Sequence, residues 1–586
     1  MQFNVVADYF QRIDSTSSRL DMTYLLAELL EQATPQEAEI ISHLLLGQLE
    51  PPYIGTQFNI AVKNMIKIIA VLHETTEDQV SEQLKTVGDL GLIAAAGIWQ
   101  MQDALSVLDV YHKLNAIEHI HGTGSSDQKS RLLVELLQHC DATSAKYIVR
   151  IVLGKLRLGF SDMTLIDALS WMHKKDKSLK AALEHAYNVC ADIGLIAKTL
   201  KEQGIAGIEA MQVHVGIPIR PAAAERLSTA QAVVEKLGHC VAQPKLDGFR
   251  LQVHLDKTGD TPKIWFFSRN LIDMSHMFPD LTAAVAQLPV KTLICEGEAI
   301  VYDPNTNQFS PFQETVKRKR KHDIEEVMEG LPLRVYLFDL LYLNGQSLMQ
   351  ETHEQRRTAL LSIMQEQKHD AIAIIDERFI TSGDQLLLYF QENIASGLEG
   401  LVVKRPDSVY TPGKRNFNWI KLKRQEEGHL DDTLDCVILG YYYGEGKRAA
   451  FGIGAFLVGV YNKAQDVFET IAKVGTGLKD QDWRDLKRMC DEMKLDVQPL
   501  NVSCAKELIP DVWVLPEKVC LIRADEITLS PLHTAHKTEK SLGFALRFPR
   551  FMGYRFDKKA QDATTIDEVQ HLYTIQKTKG TSSQAS

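Results

Sequence analysis

The chain has 586 residues, 45% of them hydrophobic and 24% charged, which describes ordinary globular material in two to four domains. No apolar run approaches the roughly 18 residues that span a bilayer, and the start, MQFNVVADYF, lacks a basic-then-apolar leader, so the expectation is a soluble, cytoplasmic protein without a membrane partner. The net charge of −11 argues against a uniformly basic nucleic-acid binder, while the runs KRKRK at 317–321 and KLKR at 421–424 leave room for a local phosphate-binding face. The eight cysteines, Cys140, Cys190, Cys240, Cys295, Cys436, Cys490, Cys504 and Cys520, are scattered singly with no C-x-x-C. That pattern predicts reduced, mostly buried thiols and no structural zinc.

From the N-terminus to about residue 205, stretches such as LLAELLEQ, YIVRIVLGKLRLG and LKAALEHAYNVCADIGLIAKTL space their apolar residues at three and four, which predicts an all-α domain over 1–212. Prolines at 218 and 221 interrupt the helices. From 213 to 424, β-rich runs (FRLQVHLD, KIWFFSRN, TLICEGEAIVYD, LRVYLFDLLYL, GLEGLVVKR, NWIKLKR) alternate with helical stretches, the pattern of an α+β domain built on antiparallel sheets. A polar connector, RQEEGHLDDTLD, leads to short strands with glycine turns and a helix at DQDWRDLKRMCDEM, which fits an OB-fold β-barrel over 425–575. The tail, 576–586, has no apolar periodicity and is expected to be disordered.

The chemical clue is Lys245-Leu246-Asp247-Gly248-Phe249-Arg250, which leads into an alternating strand. A lysine is nucleophilic only as the free amine, which burial or neighbouring cations favour, and Arg250 with the downstream lysines supply such cations. Taken singly, Phe338 reads as core, and Glu298, Glu399, Lys421 and Lys423 read as solvated strand charges. Their joint order is harder to reach by accident.

The string at 245–250 resembles motif I of the covalent nucleotidyltransferases (DNA ligases, RNA ligases and mRNA capping enzymes), and later motifs follow in that superfamily's order. The resemblance implies that Lys245 becomes adenylylated, that Arg269 faces phosphate, that Arg415 binds the ATP, that Glu298 contacts the ribose, that Phe338 stacks on the purine, and that Lys421 and Lys423 hold the α-phosphate. Glu399, with Glu298, is the implied contact for Mg2+, and ATP is the implied cofactor. Arg250 is expected at the nucleotide as well.

Over nearly the whole length the chain is similar to ATP-dependent DNA ligases. VGDLGLIA at 87–94 and LGKLRLGFSDMTLIDAL at 153–169 resemble their DNA-binding domain, and VGIPIRPAAAERL resembles their lead-in to the nucleotidyl (adenylation) domain, where Arg220 would face the nucleotide. LRFPRFMGYRFDKK resembles motif VI, with Arg547, Arg550, Arg555 and Lys558 directed at the diphosphate leaving group. The sequence departs from the family at Ala222 and Ala223, where Met and Leu are common, and at Gln243, where many ligases have an acid near the adenine amino group; Gln can still accept from that amine. The resemblance further implies a monomer whose domains encircle nicked duplex DNA through backbone contacts, a hinge near 424–433, and roles in replication, repair or recombination, with a sliding clamp or repair factors as possible partners. The alternatives are an RNA ligase, a capping-type guanylyltransferase, or a catalytically inactive DNA-binding scaffold. A capping enzyme lacks this helical domain, and a four-cysteine module expected of NAD-dependent ligases is missing.

Overall fold

The computed structural model describes residues 1–97, 105–156, 158–303, 308–309, 332–364, 370–396, 398–423, 433–444, 446–538 and 541–582. The basic run at 317–321 and all of the connector 424–433 except Thr433 lie outside them. Packing divides the chain into two compact units, one of Met1–Ile68 with Gly97–Arg424, the other of Ile69–Ala96 with Gln425–Ser586. The rest of the helical region and the central region fall in one unit, and Ile69–Ala96 groups with the C-terminal region. Within the second unit Gly88, at φ 71°, ends the helix Glu77–Val87 so close to the Gly444 carbonyl that a Cβ there would lie 2.7 Å from its oxygen.

Helices fill the described residues from Phe3 to Glu209, and their starts follow from side-chain caps. Thr34 with Glu37 and Ser106 with Asp109 form capping boxes, and Asp141 accepts from the Thr143 and Ser144 amides, satisfying donors that the first turn leaves open. Two long helical readings are corrected. YIVRIVLGKLRLG is helical only to Val152, because Gly154 turns into the left-handed region at φ 64°. LKAALEHAYNVCADIGLIAKTL breaks into Lys180–Val189 and Ile193–Glu209, because Asp192 leaves helical geometry to cap the second helix through Leu195 N–H (2.9 Å). The same buried carboxylate accepts from His43 (2.8 Å) and Tyr53 (3.2 Å), and these bonds outweigh the burial that would raise its pKa, holding it below the usual carboxylate range.

The region after Pro221 is built on two sheets. The strands are β1 (Ala223–Arg226), β2 (Cys240–Lys245), β3 (Phe249–Asp256), β4 (Lys263–Ser268), β5 (Thr292–Asp303), β6 (Gln308–Phe309), β7 (Leu333–Leu343), β8 (Gln346–Ser347), β9 (Ile372–Ile374), β10 (Arg378–Ile380), β11 (Gly400–Lys404) and β12 (Arg415–Lys423). One sheet runs β1-β12-β11-β2-β10 and the other β4-β3-β5-β7-β8, with β6 on β5 and β9 on β7. The sheets are mixed rather than purely antiparallel, since β1 pairs with β12 and β9 with β7 in parallel. Apolar faces of β3, β5 and β7 pack with the helix Pro279–Ala286, and those of β2, β11 and β12 with Val233 and Leu386 from flanking helices.

A buried ion pair ties the strands to the helix His353–Met364. Asp339 and Arg356 are both fully buried and joined twice, at 2.7 and 3.1 Å, while Lys404 approaches the same carboxylate at 3.8 Å and donates to the Phe338 carbonyl at 3.0 Å. Burial alone would raise the Asp339 pKa; Arg356 and Lys404 override it and hold the carboxyl far below its usual range.

In the second unit, Leu434–Tyr442, Ala455–Asn462 and Val467–Val474 form consecutive antiparallel partners, and Val519–Arg523 joins Leu434–Tyr442 to Arg550–Tyr554. Register shifts at Ile438/Gly440 and Val458/Gly459 curl the sheet, in keeping with the OB-like domain. The expected helix is present as Asp480–Glu492, seating Trp483, Leu486 and Cys490 in the core. The tail reading is corrected over 576–582, while 583–586 lie outside the described residues. A helix runs from Ile566 to Ser582, anchored where the Gln576 amide bonds both the N–H (2.8 Å) and the C=O (3.0 Å) of Ile527. The eight cysteines are free thiols, seven of them buried. No helix among the described residues is long and apolar enough to cross a membrane.

Asp339→Ala strands Arg356 and Lys404 in the interior. We expect a loss of about 3–5 kcal/mol, measured as a lowered denaturant midpoint.

Candidate active site

The strand register assembles the site. Gly400 on β11 sits opposite Lys245 on β2 and Lys423 on β12, and Val402 sits opposite Gln243 and Lys421. Because side chains repeat every two residues along a strand, Gln243 and Lys245 share one face, as do Lys421 and Lys423. Gly400 has φ 144°, and a Cβ there would lie 2.2 Å from the Leu422 carbonyl oxygen, so this crossing tolerates only glycine. Just before it, Glu399 accepts hydrogen bonds from both Lys245 and Lys423.

Gly248 explains the motif that follows the lysine. A Cβ at Gly248 would fall 2.3 Å from the Ala299 carbonyl oxygen, and its amide donates to Glu298 at 3.1 Å. The turn thus presses the Lys245 loop against β5. Burial pushes the Glu298 carboxyl up to about 7, against the opposing pull of Lys245 and Arg250.

Around these groups lies a cavity of about 700 Å³. One part is cationic, with Arg269, Arg415, Lys421 and Lys423; burial first, then the neighbouring cations, push the Lys421 ammonium below its usual pKa. Another part is apolar, with Leu246, Phe338, Ile375, Val402 and Trp419. Such a cavity suits a ligand with an anionic end and a flat apolar end.

Of the residues singled out in the sequence, Gln243, Lys245, Arg250, Arg269, Glu298, Phe338, Glu399, Arg415, Lys421 and Lys423 line this cavity. Arg250 does so as a brace. One guanidinium nitrogen, Nη2, donates to both Glu296 oxygens (3.0 Å each), Nη1 donates to the Ala222 carbonyl (2.9 Å), and the group lies over the Phe338 and Trp419 rings.

Arg220 is corrected: it is not among the lining residues. Its guanidinium meets Asp162 (3.2 Å), Asn188 (3.2 Å) and the Tyr187 ring on the helical region, because the chain before Pro221 is pinned there by the bond from Arg220 N–H to the Asn188 carbonyl (2.9 Å). The motif VI residues belong to the second unit and are paired within it: Arg547 with Glu526, Arg550 with Asp525 (2.9 Å), and Arg555 (3.1 Å) and Lys558 (2.6 Å) both with Asp435.

Sequence reasoning missed the layer behind the cavity. Lys404 and Trp419 line the cavity as well, and Lys404 Nζ lies 4.3 Å from the Trp419 ring centroid; burial lowers the Lys404 pKa to about 8. Gln243 donates through Nε2 to Glu377 (2.6 Å), which also accepts from His353 Nε2 (2.8 Å). Lys404 and Trp419 stood within quoted runs, but nothing local tied His353 or Glu377 to Gln243.

Family models cover most of the chain: the DNA ligase N terminus matches 2–170, the ATP dependent DNA ligase domain 221–423, and the ATP dependent DNA ligase C terminal region 449–558. A "Probable DNA ligase" of Dictyoglomus turgidum is 43% identical over 579 residues, 98% of each chain. The chain belongs to the ATP-dependent DNA ligases. A "DNA ligase" of Saccharolobus solfataricus is 38% identical over 599 residues, 99% of this chain and 98% of that protein. The solved structure Pmar-Lig_PreS3 aligns with a TM-score of 0.54 at 16% identity, over 94% of the ligase and 99% of that chain, which shows the common fold.

With a folded pKa of about 7 against 4.5 for the free group, Glu298 keeps a proton in the folded ligase that the unfolded chain has already shed. Its contribution to stability therefore declines as pH rises from about 4.5 to about 7. In chelator-treated protein, the melting temperature of wild type relative to Glu298→Gln should fall across that window and level off above it.

Proposed function

We propose that this ligase seals 5′-phosphate/3′-hydroxyl nicks in duplex DNA through a lysyl-AMP intermediate on Lys245. The observation that carries the reading is the shared contact of Lys245 and Lys423 with Glu399, at a cavity with a cationic and an aromatic part. For the first step Lys245 leaves Glu399, loses a proton to solvent and attacks the α-phosphorus of ATP through Nζ. A P–N bond forms, the bond to the bridging oxygen breaks, and diphosphate departs. Lys421 and Lys423 hold the α-phosphate, and Arg269 and Arg415 neutralise the remaining phosphates. Glu298 receives the ribose and Phe338 packs on the purine. Arg547, Arg550, Arg555 and Lys558 orient the leaving diphosphate, for which they must exchange their present carboxylate partners.

An oxygen of the nick's 5′-phosphate then attacks the AMP phosphorus, the P–N bond breaks, and Lys245 is released. Finally the 3′-hydroxyl attacks the activated 5′-phosphate, AMP leaves, and the strand is closed. Positioning and charge neutralisation account for most catalysis of this type.

Glu298 and Glu399 are the carboxylates that would hold Mg2+. No cluster of three potential metal-ligating side chains occurs among the described residues, and a site that completes its shell with phosphate oxygens and water suits that ion. When bound, it supplies charge neutralisation at the triphosphate. Both oxygens of Glu399 now accept from lysines, so one ammonium would have to yield. We further propose that the helical region, the central region and the C-terminal domain act as DNA-binding, adenylation and OB domains, with a hinge near 424–433, in replication, repair or recombination.

The test is a pulse and chase with α-labelled ATP and Mg2+, followed by nicked duplex. Wild type should acquire label and Lys245→Ala none. The chase should move the label to AMP as the nick closes. Absence of label in wild type would favour an inactive scaffold, and discharge by RNA alone would favour an RNA ligase.

A further inference from the structure

The base-recognition part of the cavity contains a polar group with a fixed direction. Gln243 is 2% exposed and lies opposite Val402 across the strands, on a cavity wall that also carries the hydrophobic Phe338 and Ile375. A primary amide has a donor arm and an acceptor arm of nearly equal shape, and an unconstrained amide presents either one. Here the donor arm is taken: Gln243 Nε2 donates to Glu377 Oε2 at 2.6 Å. A carboxylate accepts and does not donate, so the amide nitrogen must face it. The same oxygen accepts from His353 Nε2 at 2.8 Å, His353 is 1% exposed, and Arg357 approaches the other oxygen at 4.0 Å. Burial would raise the Glu377 pKa, but His353 outweighs it, and the carboxyl stays below its usual range and ionised.

The Gln243 carbonyl oxygen accepts no hydrogen bond among the described residues, and Gln243 lies on the cavity wall two positions before Lys245 on the same strand face. The cationic residues Lys421 and Lys423 take the phosphates, which leaves the purine to the apolar part of the cavity.

We infer that Glu377 and His353 are positioning residues for nucleobase selection: they lock the Gln243 amide with its carbonyl toward the cavity, so that the site takes a 6-aminopurine nucleotide and refuses a 6-oxopurine. The inference rests on the reading that this cavity binds the nucleotide for Lys245. An amino group donates to the fixed carbonyl. A 6-oxo group would set two acceptors against each other and leave both unsatisfied.

The experiment compares ATP with GTP on the full-length protein by two readouts, equilibrium binding and single-turnover labelling of Lys245 with the α-labelled nucleotide. Glu377→Met removes the acceptor while keeping the length of the side chain. The amide is then free to turn its donor arm to a 6-oxo group. The ATP:GTP ratio should fall about 10- to 100-fold, with GTP binding unchanged or improved while ATP binding weakens. The exchange variant Gln243→Glu/Glu377→Gln reverses the donor and acceptor of the buried bond and still presents an acceptor to the cavity, so it should recover most of the wild-type ratio. An unchanged ratio in Glu377→Met would overturn the inference. So would an equal loss with both nucleotides in both variants, since a purely structural contact weakens them together. If the binding ratio shifts as expected but wild type forms no covalent label, the inference holds and the assignment of Lys245 as nucleophile fails.

Discussion

Glu399 accepts from two lysines on two different strands, and the rest of the site depends on the strand register that allows it. Gly400 pairs with Lys245 on one side and Lys423 on the other. A slip of one residue in either pairing would turn the whole strand face over and send one ammonium to the opposite side of the sheet. The left-handed glycine at that crossing and the close-packed Gly248 beside β5 are where the backbone makes room. The placement of Lys245, the cations and Glu298 follows from these two contacts.

Behind that surface the protein buries charge in pairs. Arg356 meets Asp339 through two guanidinium nitrogens, Arg250 spans both Glu296 oxygens through one, and Lys404 joins Asp339 while facing Trp419. The forked Arg356 guanidinium on Asp339 fixes direction as well as distance. These pairs connect β3 to β5 and β7 to the helix His353–Met364, and so hold the aromatic and cationic parts of the cavity in place before any ligand arrives. The second unit carries its motif VI cations in a different state, each on an aspartate or glutamate of its own unit.

Much of this was legible in residue order. The alternating runs became β3, β4, β5, β7, β11 and β12, because a period of two with β-branched and aromatic residues suits a half-buried strand. DQDWRDLKRMCDEM became a helix for the corresponding reason at a period near 3.6. The reading failed where one residue outweighed the periodicity around it: Gly154 ended a helix that the apolar spacing continued, Asp192 split another, and Gln576 tied down a tail with no apolar face of its own. Each of those outcomes depends on a backbone conformation or on a distant partner.

The sequence by itself determined the residue types and their order, the lysine with its glycine turn, the acids, the cations and the aromatic strand residue, because those depend only on local spacing along the chain. Tertiary structure decided which of them meet. It placed Arg220 against the helical region although its neighbours in the chain reach the cavity, and it made Arg250 a brace on Glu296. It also brought Glu377, 134 positions from Gln243 in the sequence, onto that buried amide, and His353 onto Glu377. Hydrogen bonds between strands and helices far apart in the chain leave no periodic trace in the sequence, so only the folded chain could reveal them.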